Sequence, residues 1–393
     1  MPTPYKAAIV GAGSIGHAHM DGYSRVDEVD VVAVVDPVAN AREQYQREFG
    51  IPNAYETIEE MLAAEEPDIV SVCAWHLMHP ALTIAAAKAG VKAVICEKPM
   101  AIGTAAASSM VEACDASGTR LVISHQRRFT PGWEKARDLI AEGAIGKPEF
   151  VNIKVMDGLT NWGTHAIDAS RFMLGDPSAR WVMGAVERIS NKYERAVPIE
   201  DACMGLIHLE GDVQLFVQSD LYLEGADAGV FLIRGTEGML DVTETRVRLM
   251  NSEHGGWQDL ELHLAEGAKA IGGETNAAQV RELIAWIEGG PIHRGNGRNA
   301  AVTVEIMMAM YESARQNRVI NLPLEEAEYP LGLMIEEGKL PLDYPEEYDI
   351  RSFLSWEGID REDYATLRAE GMPHARALMK LHGLDGPPGR PAR

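Results

Sequence analysis

Apolar positions in the first third of the chain fall into short runs, Ala7 to Val10, Val31 to Val35, Ile69 to Val72, Ala93 to Cys96 and Leu121 to Ile123. None alternates strictly with polar residues, so each reads as a strand buried on both faces of a sheet. The stretches between them, Asn40 to Phe49, Ile58 to Ala64, Pro80 to Ala89 and Thr104 to Ala116, carry a helical period. Strand and helix in alternation predict a doubly wound parallel sheet of the Rossmann type. After about residue 125 the pattern changes, and Phe150 to Met156, Cys203 to Leu209, Val213 to Gln218, Val230 to Ile233 and Val247 to Met250 arrive largely without intervening helices. Consecutive strands predict antiparallel pairing. Helical patterns accompany them at Trp133 to Ile140, His165 to Leu174, Thr275 to Ile287 and Ala300 to Gln316.

The fold class expected is α/β. A Rossmann domain spans residues 1–125, an α+β domain with an open, largely antiparallel sheet spans 126–324, and an acidic, Pro-containing extension spans 325–393. Pro330, Pro341 and Pro345 interrupt any long element in that extension before a weak helical pattern at Glu362 to Leu381. The closing Gly-Pro-Pro-Gly-Arg-Pro is expected to fray.

Composition narrows the partners. With 46% hydrophobic and 24% charged residues in 393, wholesale disorder is excluded. Lys and Arg number 36 against 59 Asp and Glu, a net charge of -23, and so acidic a surface repels a phosphate backbone. Nucleic acid is not an expected partner. Cys73, Cys96, Cys114 and Cys203 lie far apart without a C-x-x-C pair, which argues against a disulfide framework or a zinc site. With no signal-peptide pattern and no apolar stretch of membrane-spanning length, a cytoplasmic protein is expected.

Three motifs carry candidate chemistry. Gly11-Ala-Gly13-Ser14-Ile15-Gly16 follows the first strand and opens a helix, as a turn that cradles a pyrophosphate must. Asp36 ends the second strand about twenty residues later, where a carboxylate can accept from both hydroxyls of an adenosine ribose. The same charge repels a 2'-phosphate, and Pro37 follows it, so NAD is favoured over NADP. Cys96-Glu97-Lys98-Pro99 lies at the carboxyl end of a strand, where ligands of open parallel sheets collect. Lys98 there can meet a substrate hydroxyl; the alternative is a solvated pair with Glu97. In Asn161-Trp162-Gly163-Thr164-His165-Ala166-Ile167-Asp168, His165 opens a helix whose dipole would keep it neutral, unless it is a structural histidine. Asp168 would offset that dipole. His17, His19, His76 and His79 form no metal set by spacing.

Taken together, the Rossmann glycines, Glu97-Lys98-Pro99 and Gly163-x-His165-x-x-Asp168 resemble the Gfo/Idh/MocA family of NAD(P)-dependent oxidoreductases over roughly residues 5 to 325. The resemblance implies that Lys98 contacts the reacting hydroxyl and His165 takes or returns its proton, with the nicotinamide between them and the sheet. Asn161 stands where many relatives have aspartate; an amide still bonds a sugar hydroxyl but holds no charge beside Lys98. Where the family often has Thr-Pro-Asn-x-x-His beside the dinucleotide, this chain reads Ala74-Trp75-His76-Leu77-Met78-His79, so Trp75 and His76 replace flanking residues and only His79 is kept. Packing on the sheet edge is the other reading of Trp75 and His76. In Gln126-Arg127-Arg128-Phe129, Gln126 is a carboxamide partner for the nicotinamide, and Arg127 or Arg128 meets an anionic substrate group, with a structural salt bridge for at least one of them. Trp162 can stack on a sugar ring.

The activity implied is hydride transfer between nicotinamide and a secondary hydroxyl or ketone of a sugar, cyclitol or related polyol. Two alternatives stand beside it: a glycosidase or lyase that uses transient oxidation with no net NADH, and a non-catalytic regulatory protein that responds to sugar or dinucleotide. The family also implies a homodimer or homotetramer formed through the open sheet. The extension would cover a neighbouring subunit or fringe the mouth of the site.

Overall fold

The computed structural model describes residues 3–221, 229–253, 255–262 and 272–389. The last residues of the terminal Pro-Gly run, 390–393, lie outside the described residues.

Burial dictates the first sheet. Ala7, Ala8 and Ile9 are fully buried, and the chain alternates β1 (Tyr5–Val10), α1 (Ser14–Tyr23), β2 (Val29–Val35), α2 (Ala39–Phe49), β3 (Asn53–Tyr55), α3 (Ile58–Glu65), β4 (Ile69–Val72), α4 (His79–Lys88), β5 (Ala93–Cys96), α5 (Thr104–Ser117) and β6 (Arg120–Ile123). The six strands are parallel in the order β3-β2-β1-β4-β5-β6. The order reverses between β1 and β4, so a crevice opens beyond their carboxyl ends. The hydrophobic pattern missed β3, an edge strand of three half-buried residues with no apolar run.

The chain continues through α6 (Pro131–Ala141), β7 (Pro148–Val155), a π-helical turn (Leu159–Gly163), α7 (Thr164–Met173), β8 (Ala179–Glu187), β9 (Ser190–Glu194), β10 (Val197–Pro198), β11 (Ala202–Leu209), β12 (Gln214–Ser219), β13 (Phe231–Gly235), β14 (Gly238–Val242), β15 (Val247–Asn251) and β16 (Gln258–Leu260). It ends with α8 (Gly273–Ile287), α9 (Gly297–Gln316), β17 (Ile320–Asn321), α10 (Pro330–Glu336), β18 (Tyr344–Asp349), α11 (Arg361–Ala369) and α12 (His374–Leu381). Nine of these strands form a second sheet in the order β16-β15-β14-β13-β7-β12-β11-β8-β17. Its neighbours are antiparallel except β7 and β12, which are parallel because α7 and the β8 to β11 segment carry the chain back to the starting end. The sheet is thus largely antiparallel, as the strand pattern predicts, with one parallel pair between strands that are not consecutive in the chain.

The inner face of the second sheet, with Val151, Ile153, Ile207, Leu215, Val217 and Ile233 almost fully buried, is part of one core that runs under α9 to Ala8 and Val10 of the first sheet. The outer face leaves Met183 and Met204 exposed and Leu206 and Phe216 half-buried. α8 also returns to the helices beside the first sheet. α8 packs on α1, where a side chain at Gly22 would meet Asn276 Cβ at 2.5 Å, so glycine sets the helix spacing.

The extension is ordered by contact with both sheets' surroundings. β18 pairs with β9 in a small sheet ordered β10-β9-β18. α11 and α12 lie against α1 and α2 through Arg361–Glu43, Arg368–Glu48 and the His17–His374 rings, whose centroids are 4.3 Å apart. The weak helical pattern at Glu362 to Leu381 is thus two helices, broken where Gly371 takes φ 86° ahead of Pro373. No helix among the described residues is long and apolar enough to cross a membrane. The four cysteines are free and buried.

Candidate active site

The glycine turn leaves β1 at the strand-order switch. A Cβ on Gly11, whose φ is 109°, would sit 2.6 Å from the Cys73 carbonyl oxygen, and one on Gly16 would strike the Gly11 carbonyl. Gly13 instead faces open space, with nothing within 4 Å of where a Cβ would be. That is the room a pyrophosphate needs to approach the α1 N-terminus. Asp36 closes the same end, accepting from the backbone N–H of Ala12 and Val38 at 2.9 Å each, with its pKa raised by burial. Each oxygen keeps a further lone pair for a ribose hydroxyl.

Ser14 and Ile15 flank the crevice on the helix side, and Trp75 and His76 on the side of β4. Glu97 and Lys98 enter from β5, with a cis peptide between Lys98 and Pro99. Glu97 turns inward: His19 Nε2 lies 3.0 Å from its Oε1, and its Oε2 accepts the Lys98 backbone N–H at 3.2 Å. Burial raises its pKa, but the contacts with His19, the Lys98 charge and Ser124 together outweigh it and hold the carboxyl at about 2. His79 spans the loops instead of facing outward, with Nδ1 2.9 Å from the Pro99 carbonyl and Nε2 3.0 Å from that of Ala74.

Lys98 is half-buried and not a solvated surface lysine. Its Nζ donates to Asn161 Oδ1 at 3.1 Å and approaches the Asn161 carbonyl at 3.4 Å. Burial, then the nearby Arg195 cation, lowers its pKa to about 8. Asn161 sits on the π-helical turn, which the buried Glu200 and the half-buried Asp220 hold in place. Glu200 accepts the Leu159 N–H at 2.6 Å and the Tyr311 hydroxyl at 2.6 Å, and Asp220 accepts from Asp157 and Gly158 at 3.0 and 2.9 Å.

The π turn runs directly into α7, so His165 lies a full turn inside a helical segment whose N-terminus is at Gly158, and its neutrality does not come from the dipole. Its pKa lies well below the usual imidazole range because of burial first, then the Lys98 and Arg127 cations. All ten residues of α7 are buried, so no face of that helix meets solvent. Asp168 does not serve the dipole either. It takes a bidentate pair from Arg128 at 2.8 and 2.7 Å and lies 3.3 Å from His125 Nδ1.

Arg128 also grips Asp176 and is the structural member of the arginine pair. Arg127 pairs with Glu244 and lies 4.3 Å over the Trp162 ring, so one face of that tryptophan is already covered. The Trp162 and His165 rings meet edge to face at 5.9 Å. Among the described residues, the buried Asn161 Nδ2, His165 Nδ1 and Gln126 Oε1 are without a hydrogen-bond partner. An orphaned amide donor, a ring nitrogen and an amide acceptor are the chemistry a polyol and a nicotinamide carboxamide satisfy. The residues present therefore fit a bound dinucleotide.

Hydrophobic patterning and motifs missed three contributors. His125 lies within the polar run Ser124 to Arg128 after β6, and Glu200 sits beside Asp201 before β11, neither in a recognisable motif. Arg195 lies on the β9–β10 hairpin, whose short polar strands carry no apolar signal. Only topology brings it to the crevice, where Leu354 of the extension joins it. Among the described residues, no group of three or more His, Cys, Asp or Glu is placed to hold a metal ion.

Residues 5–125 match the Gfo/Idh/MocA family, described as an oxidoreductase family with an NAD-binding Rossmann fold. Among curated proteins, D-apiose dehydrogenase of Paraburkholderia graminis is 27% identical over 359 residues, covering 83% of this chain and 92% of that protein. Inositol 2-dehydrogenase of Paracoccus denitrificans is 27% identical over 360 residues, covering 82% and 99%. Among solved structures, levoglucosan dehydrogenase in complex with NADH shares the fold with a TM-score of 0.73 at 20% identity, over 82% of this chain and all of that one.

Proposed function

We propose that this chain, an oxidoreductase of the Gfo/Idh/MocA family with an NAD-binding Rossmann domain, transfers hydride between NAD and a secondary hydroxyl or ketone of a sugar, cyclitol or related polyol. The observation that carries this reading is the Lys98 ammonium on Asn161 at the strand-order switch, beside an unpartnered, neutral His165. Gly11 to Gly16 would hold the pyrophosphate, Asp36 the adenosine ribose, Trp75, His76 and His79 the flanks, and Gln126 the carboxamide. NAD supplies the hydride acceptor.

The chain's own residues then handle the proton. His165, held neutral, accepts the hydroxyl proton in the oxidising direction, and Lys98 donates to the oxygen as charge develops on it. Asn161 aims Lys98 and its free Nδ2 donates to a neighbouring hydroxyl; an amide cannot act as the base. We read residues 1–125, 126–324 and 325–393 as the dinucleotide domain, the substrate and oligomerisation domain and the extension. The apolar outer face of the second sheet, with Met183, Met204, Leu206 and Phe216, suits self-association as a dimer or tetramer.

The test is incubation with NAD, then NADP, against sugars, inositols, sugar acids and glycosides, following NADH absorbance and product mass together. NADH equal to a product two hydrogens lighter supports the dehydrogenase. Product without NADH assigns the internal-redox lyase or glycosidase, and binding without turnover assigns a regulatory protein.

A further inference from the structure

A neutral polyol needs no cation besides Lys98, yet two arginines reach the same site. Arg127 is already engaged with Glu244 and the Trp162 ring. Arg195 forms part of the crevice wall together with Gly13, Lys98 and Leu354. Among the described residues its one charged partner is Glu194, which accepts from Nη1. The second Glu194 oxygen lies 2.6 Å from His76 Nε2, and both Glu194 and His76 are almost completely buried. Glu194 is thereby fixed as an anion, its pKa at about 2 because His76 and Arg195 outweigh the effect of burial. The remaining Arg195 donors, Nε and Nη2, have no protein partner among the described residues.

The fold invests in holding this one side chain. Arg195 and Ala196 are the two central residues of the β9–β10 hairpin, and their φ of 50° and 63° is the left-handed pair that a tight two-residue hairpin turn takes, which fixes where the Arg195 side chain leaves the backbone. The extension braces that tip. β18 adds a parallel strand along β9, Asp349 accepts the Ala196 N–H at 2.8 Å, and Ile350 donates to the Tyr193 carbonyl at 3.0 Å. An arginine and a lysine side by side repel each other, and an anion between them relieves that repulsion. A planar guanidinium with a free edge matches a carboxylate.

We propose that Arg195 binds a carboxylate of the substrate, so that the polyol handled in this crevice is a sugar acid. The inference rests on the dehydrogenase reading above. The pyrophosphate of the dinucleotide is the other anion within the crevice, but the glycine turn and the α1 N-terminus already serve it, while Arg195 stands beside Lys98.

The experiment uses the whole chain and matched pairs: D-glucuronate against D-glucose, and D-gluconate against D-glucitol, with NAD. Wild type is expected to favour the acid of each pair. Arg195→Met is expected to lower the ratio of kcat/KM for acid over neutral partner on the order of 10- to 100-fold, with Arg195→Lys between the two. Affinity for NADH, titrated by fluorescence, is expected to stay within about twofold of wild type. A ratio unmoved by Arg195→Met overturns the proposal. So does a loss of NADH affinity with selectivity intact, which assigns Arg195 to the pyrophosphate. Thermal shift of the NADH-loaded protein by each compound separates the two readings. No shift with any acid overturns the carboxylate site, whereas a shift by acids, lost in Arg195→Met, without turnover of any compound retains the site and counts against the dehydrogenase.

Discussion

The Lys98 ammonium and the Asn161 carboxamide meet at 3.1 Å, and this contact joins the end of β5 in the parallel sheet to the π-helical turn that follows β7 in the other. An amide oxygen orients the ammonium without stabilising its charge as a carboxylate would, so burial and Arg195 prevail and the lysine titrates at about 8. A reaction that needs the protonated lysine then loses rate as pH rises through that value. Asn161→Asp places an anion on the ammonium and is expected to move the alkaline limb of kcat/KM upward by roughly one unit or more. A limb that stays in place in the variant would mean that it belongs to another group.

His165 gives a prediction of opposite sign. Its pKa lies well below the usual value, through burial and the Lys98 and Arg127 cations, so the ring stays in its base form as pH falls through the range where a free histidine protonates. The acid side of the oxidation profile is therefore expected to be flat between about pH 6 and 7.5. His165→Asn removes the proton acceptor and is expected to lower kcat by about 100- to 10,000-fold with NADH affinity little changed. A profile that falls through the free-histidine range would show that the imidazole is charged in the working enzyme.

Those two residues were legible in the sequence because their chemistry sits next to strong local signals, a strand end for Lys98 and a glycine-bearing helix start for His165. The same holds for Gly11 to Gly16 and Asp36, where strand, turn, helix and acid stand in register. What escaped was set by long-range pairing. β3 and the β9–β10 hairpin are too short or too polar to show a hydrophobic period, and Arg195 reaches the crevice only because β18, some 150 residues further along, braces that hairpin. The origin of His165 neutrality was misread for a related reason: a π turn leaves no periodic trace, so the helix started earlier than its pattern implied.

Glu200 tests whether that π turn matters. It is fully buried, and its two oxygens take the Leu159 N–H and the Tyr311 hydroxyl at 2.6 Å each. Glu200→Gln keeps the size but turns one acceptor into a donor, so the Tyr311 hydroxyl must accept where it now donates and its own buried proton loses the carboxylate it points to. The expected cost is about 1–3 kcal/mol, read as a lower urea midpoint, together with a lower kcat because the turn carries Asn161. Full stability with full activity would show that the turn holds its shape without this carboxylate.

The extension carries the acid-sensitive seam. Glu48 on α2 is depressed from 4.5 to about 2: burial works against this, but His17 and Arg368 win. A carboxylate depressed in the folded state adds stability above its unfolded pKa and loses it as pH falls toward the folded value. Contact of α11 and α12 with α1 and α2 is therefore expected to weaken between about pH 4.5 and 2, and protease cleavage around Gly371 to rise over that window. Arg368→Ala removes one of the two partners, so its cleavage should begin at higher pH than in wild type. Because the same extension supplies Leu354 to the crevice wall, release of the helices should also weaken NADH binding. Cleavage that rises equally in wild type and variant would place the acid-sensitive contact elsewhere.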